Sequence, residues 1–125
     1  MPYSFYNPNP QHNFTIDCVI RAVSKLMGTD WDTAYVGITF QGYISKSMPS
    51  DDSVWGEYLR RNGYSKRLIP DDYPEHYTVR DFAEDHPRGK YLLKASGHVV
   101  AVCDGDYYDS WDSGNEVPIY YWERS

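Results

Sequence analysis

An α+β domain is predicted, with helices first and an antiparallel sheet after them. Three observations carry this. Apolar residues recur at helical spacing behind capping residues as far as residue 86. From residue 89 onward they fall in short runs separated by Gly- and Asp-containing turns. No repeat or low-complexity stretch interrupts the 125 residues, a length that buries one core without metal or disulfide staples.

Residues 1–13, rich in Pro, Asn and Tyr and without periodicity, read as an extended arm that packs Tyr3, Phe5 and Tyr6 on the body; residues 14–125 read as one domain. Thr15 is the expected cap of a first helix, with Asp17 in its first turn and Val19, Ile20, Val23, Leu26 and Met27 on one face. Gly28 ends it. A capping box from Thr29 to Asp32 opens a short second helix carrying Trp31, Ala34, Tyr35 and Ile38, with Trp31 in its core stripe, and residues 40–49 read as a loop. Pro49-Ser50-Asp51-Asp52 starts a third helix with Val54, Trp55, Tyr58 and Leu59 inward, ending near Asn62-Gly63. Thr78 to Asp81 is another capping box, and His86-Pro87 stops that helix. Lys90–Ala95, His98–Cys103, Asp106–Trp111 and Val117–Trp122 are the predicted strands.

Composition narrows the function. A net charge of −6 and scattered basic residues argue against nucleic acid as partner, and the cluster Arg60, Arg61, Lys66 and Arg67 reads as a solvated face. No apolar run reaches membrane-spanning length and no secretion leader is present, so a cytoplasmic location is expected and the sequon Asn13-Phe14-Thr15 carries no weight. Two cysteines do not make a disulfide framework, although a Cys18–Cys103 bridge stays open. Cys103 ends an apolar strand and reads as core. Asp104, Asp106, Asp109 and Asp112 lack a calcium-loop pattern, His76 and His86 read as surface residues without zinc spacing, and no metal or cofactor is expected.

The chemistry centres on Cys18 and His98. A thiol at a helix start meets the positive end of the helix dipole, which favours thiolate. An imidazole opening a strand is held by the sheet backbone and can serve as its base. Side chains alternate along strands, so the turn at Asp104-Gly105 selects the group that orients His98: a two-residue turn selects Asp109, a three-residue turn Asp112. The Asp-Gly dipeptide favours Asp109. Trp111 is placed to shield the pair from water. Against this, Cys18 and His98 could be a buried small residue and a satisfied sheet histidine.

The segments Asp17-Cys18-Val19-Ile20-Arg21-Ala22, Ser96-Gly97-His98-Val99-Val100-Ala101-Val102, Asp104-Gly105 and Tyr108-Asp109-Ser110-Trp111 resemble the core motifs of papain-like cysteine peptidases. The small bacterial and phage-borne members, C39-like and NlpC/P60-like, are closest in style. Residues 40–90 match no motif of that family. The resemblance implies a papain-like fold whose nucleophile heads a helix packed on an antiparallel sheet. It implies Cys18 as nucleophile, His98 as general base and acid, and Asp109 as orienting residue. It also implies a side-chain amide before the cysteine as oxyanion donor; His12 stands there, leaving Asn13, and then Gln11, as candidates. The expected function is a peptidase or isopeptidase working through a thioester on a protein or peptide substrate. The same three residues serve amidases, acyltransferases and deamidases. A non-catalytic interaction or inhibitor protein on the same scaffold is the alternative.

Overall fold

The computed structural model describes residues 2–13, 16–70, 73 and 76–124. Ten elements follow in the order β1 (Tyr3–Phe5), α1 (Cys18–Met27), α2 (Trp31–Ser45), α3 (Asp52–Arg61), β2 (Tyr64–Leu68), α4 (Val79–Asp85), β3 (Lys90–Ala95), β4 (His98–Cys103), β5 (Asp106–Asp109) and β6 (Pro118–Arg124). The class is α+β. The strands form one six-stranded sheet in the order β1-β5-β4-β3-β6-β2.

β4 explains the architecture. All six of its residues are buried, because β3 and β5 flank it and helices cover both faces of the sheet. Its side chains alternate accordingly. Val99, Ala101 and Cys103 join Val23, Leu26 and Trp55 in the core beneath α1–α3. Val100 and Val102 join Val79, Phe82 and Tyr107 beneath α4. A strand buried on both faces reads as a continuous apolar run, which is why His98–Cys103 stood out.

The sheet is mixed rather than antiparallel, and two of its strands were not expected. β1 pairs parallel to β5, with Tyr3 opposite Tyr107 and Phe5 opposite Asp109. Its three residues are too few for a periodic signal. Tyr3 packs on Tyr107 and Tyr6 on Tyr108, whereas Phe5, assigned to the body, is 63% exposed. β2 pairs antiparallel to β6 at the other edge. Lys66 and Arg67 conceal it: charged side chains on an edge strand discourage pairing with a further chain. Arg67 is ion-paired to Glu123 at 2.8 Å, and Arg60 and Arg61 both bind Glu57.

The helices also depart from expectation at defined points. The predicted cap Thr15 lies outside the described residues. The N-cap of α1 is Asp17, whose side chain makes no capping bond. α2 is capped by Asp30, which accepts from the Thr33 N–H, and not by Thr29. It runs on to Ser45, so residues 40–45 are helix rather than loop. Its inward stripe of Ala34, Ile38, Gln41 and Gly42 turns polar and small halfway, and the apolar period fades there. Trp31 is half-buried and stacks on Tyr35 at the surface instead of entering the core. α3 and α4 match their sequence signals, including both halves of the Thr78–Asp81 capping box. β5 stops at Asp109, two residues early, because its carboxylate accepts from the Ser110 N–H and turns the chain.

Among the described residues no helix is long and apolar enough to cross a membrane. Both cysteines are free. His86 is half-buried, bonded to the Phe82 carbonyl and stacked on the Phe82 ring at 3.7 Å, which corrects its reading as a surface residue; His76 is exposed.

Candidate functional site

Helix α1 delivers Cys18 at its first residue, where backbone N–H groups have no intrahelical partner. The β3–β4 turn delivers His98. Gly97, at φ +71°, occupies the left-handed region there with open space around it, and His98 follows as the first residue of β4. The β4–β5 turn sets the partner. Asp104 and Gly105 both have positive φ, at 50° and 88°, and close a two-residue hairpin in which Cys103 faces Asp106. The register pairs Val102 with Tyr107, so His98 and Asp109 share a face.

These three side chains meet. His98 Nε2 lies 2.6 Å from Asp109 Oδ2, and Cys18 stands beside the same ring, both residues lining both neighbouring cavities and each shifting the other's titration. Asp109 is fully buried and His98 nearly so. Burial works against charge on each group, yet the partners outweigh it. Cys18 is held below the ordinary thiol value by the neighbouring His98 and by the Val99 amide. His98 is pushed up to about 9 by Asp109 and Cys18. Asp109 is held below the usual carboxylate range by His98, Ser113 and Arg21. The arrangement favours a thiolate–imidazolium pair beside a fixed carboxylate. Cys103 is the contrast: burial pushes its thiol up to about 11.

Asp109 is saturated. Oδ1 accepts from Arg21 Nη2 at 2.9 Å and from the Ser110 amide at 2.8 Å; Oδ2 accepts from Ser113 Oγ at 2.6 Å and faces His98. Arg21 in turn donates to Asp17 Oδ1 at 2.6 Å, and Asp17 Oδ2 accepts from Trp31 Nε1 at 2.8 Å. Asp17 and Arg21 are 6% and 5% exposed, so a continuous buried chain of charge-assisted bonds runs from α2 to the imidazole. Nothing in the sequence pattern gives Arg21 or Ser113 a role, and Asp17 reads there only as a residue of the first helical turn. One signal was available: Asp17 and Arg21 are four apart on a helix, the spacing of an ion pair.

The remaining candidates are placed as follows. Asp112 lies away from His98; its carboxylate accepts from the Tyr107 hydroxyl and pairs with Arg80 at 3.5 Å. The Trp111 ring is 4.8 Å from the His98 ring at 43° and is 47% exposed, covering the imidazole from outside. Gln11 and Asn13 are exposed and line neither cavity beside Cys18; the Asn13 carbonyl accepts from Asn7. His12 is exposed in a turn with φ 58°.

Two cavities open on either side of the Cys18–His98 pair. One, of about 310 Å³, is walled mainly by apolar groups that include Val19, Ile20, Tyr35, Trp55 and Val99, with Lys94 and Asp52 at 3.8 Å on its wall. The other, of about 560 Å³, is more open and is bounded by Arg21, Ser110 and Trp111. No group of three or more His, Cys, Asp or Glu side chains among the described residues is placed to hold a metal ion. Asp104 is used at the Gly89 amide, which separates it from Asp109 and Asp112.

No family model, curated protein or solved structure matches the chain.

Proposed function

We propose that this chain is a papain-like cysteine hydrolase, a peptidase or isopeptidase, with Cys18 as nucleophile, His98 as general acid and base, and Asp109 as the residue that orients His98. The observation that carries the reading is the His98–Asp109 hydrogen bond with Cys18 beside the same imidazole where two cavities meet. In this mechanism the Cys18 thiolate adds to the carbonyl carbon of an amide. The oxyanion forms next to the Cys18 N–H at the helix start, a donor without an intrahelical partner. Imidazolium His98 gives its proton to the departing amine, and a thioester remains on Cys18. His98, now neutral, takes a proton from water as the water attacks the thioester; the acid leaves and the thiolate–imidazolium pair is restored. Asp109 keeps one ring nitrogen engaged throughout, which fixes the tautomer.

A second reading is favoured by one observation. Neither Gln11 nor Asn13 borders the cavities, so no side-chain amide from the arm completes an oxyanion hole. This suits an interaction protein that keeps the scaffold without the reaction.

Iodoacetamide separates the two. At pH 6 a free thiol of pKa about 8.5 is almost wholly protonated. Cys18 should label at least tenfold faster than free cysteine there, His98→Gln should bring it down to the free rate, and Cys103 should stay unlabelled in the folded protein. Labelling no faster than free cysteine sinks the hydrolase reading. Wild type against Cys18→Ala in a proteome-wide cleavage profile then identifies the bonds cut.

A further inference from the structure

We propose that the exposed face of α2 is a docking track for the substrate polypeptide, accepting an uncharged apolar segment of three to four residues whose continuation enters the cleft at Cys18. This rests on the hydrolase reading and narrows its substrate to an extended chain anchored away from the bond that is cut.

The face is unusual for a surface helix. Ala34, Ile38 and Gln41 point inward, while Val36, Phe40 and Tyr43 are 64%, 61% and 69% exposed. No charged residue occurs from Thr33 to Ser45. A surface helix normally turns charged side chains to water, and a contiguous apolar exposure of this kind marks a contact surface.

Continuity with the cleft identifies the occupant. Tyr35 and Thr39 wall the cavity beside Cys18, and the same two residues wall a shallow groove completed by Val36, Phe40 and Tyr43. Thr39 also borders a third depression together with Met48 and Pro49, of which Pro49 again belongs to the cleft. The groove on α2 and the cleft at the thiol therefore adjoin at Tyr35 and Thr39.

Dimensions agree with a polypeptide. From Tyr35 to Tyr43 the helix advances about 12 Å at 1.5 Å per residue, the length of three to four extended residues at about 3.3 Å each. The rings are already ordered as platforms: Trp31 stacks on Tyr35 at 5.0 Å and Phe40 on Tyr43 at 6.4 Å. Lys46 lies over the Tyr43 ring at 4.0 Å at the far end, and no charged side chain lines the groove between Tyr35 and Tyr43. An apolar segment is the complement of such a surface.

The test uses peptides that alkylate Cys18 without needing to be cleaved. Twelve-residue Gly/Ser peptides carry a chloroacetamide on one central side chain. One is plain, one bears Leu-Phe-Leu-Tyr four residues before the electrophile, and one bears it four residues after. Sub-saturating labelling rates at Cys18, located by mass spectrometry, are compared in wild type and in Phe40→Ser/Tyr43→Ser, with Val36→Lys as a second variant on the same face. The expected result is that one apolar peptide labels at least tenfold faster than the plain one. Both variants should remove that gain while keeping the wild-type iodoacetamide rate and urea midpoint. No gain from either peptide, or a gain that survives in both variants, overturns the proposal. A wild-type dimer in sedimentation velocity that both variants dissociate also overturns it, in favour of a second copy on this face. An iodoacetamide rate equal to that of free cysteine overturns the hydrolase reading, and this proposal with it.

Discussion

Arg21 is the residue through which the site and its stability are joined. It sits between Asp17 and Asp109, at 2.6 Å and 2.9 Å, in a place where water does not screen it. Removing one partner from a buried ion pair leaves charge without compensation, at a cost of about 3–5 kcal/mol. Arg21→Met should lower stability by that amount, read as a fall in the urea midpoint at unchanged slope. It should also slow iodoacetamide labelling of Cys18 at pH 6, since Asp109 loses the cation that helps keep it ionised and placed. Arg21→Lys keeps the charge but cannot fork to two carboxylates, and should fall between wild type and Arg21→Met on both measures. Labelling at the wild-type rate in Arg21→Met would detach Arg21 from the site.

At the scale of the elements, turns do the placing. Gly97 and the Asp104-Gly105 pair hold β4 in register with its neighbours, and the parity of the Asp104-Gly105 turn puts His98 and Asp109 on one face. Gly97→Ala meets no atom within 4 Å, so its cost is confined to the left-handed backbone, about 1–2 kcal/mol. The expected result is a lowered urea midpoint with Cys18 labelling intact. Loss of labelling would mean that the turn does more than set backbone geometry. Much of this hairpin was legible in the sequence because Asp-Gly is a strong local turn signal and β4 is apolar throughout. α3 and α4 were legible for a similar reason, their caps and apolar stripes agreeing. What was not legible depends on partners remote in the chain. β1 exists because β5 offers an edge, β2 is a charged strand that only β6 reveals, and the second half of α2 is held by a stripe that includes Gln41 and Gly42. Ser113 belongs to the same group: nothing local marks it as the hydroxyl that completes Asp109.

For the whole molecule, the site's charges are part of its stability curve. The pKa of His98 in the fold is about 9 against an ordinary 6.5. A base whose folded value is raised stabilises the fold fully below 6.5 and loses that contribution as pH rises through about 9. The stability difference between wild type and His98→Gln should therefore be largest near pH 6 and shrink toward pH 10, measured by urea unfolding across that range. In a Cys18→Ala background the decline should begin at lower pH, because the thiolate's share of the upward push is gone. A difference independent of pH would show that His98 is not held as the cation.

The positions of the site residues along the chain also have a temporal consequence. Cys18 is synthesised well before His98, Asp109 and Ser113, and β1 waits for β5 before it has any strand to pair with. At about 5–20 residues per second, the thiol spends several seconds outside the ribosome with no imidazole, no Val99 amide and no cavity around it. During that interval it is an ordinary cysteine. The lowered thiol is thus a property of the closed β4–β5 hairpin packed against α1, acquired only when His98 and Val99 arrive and not when Cys18 itself emerges.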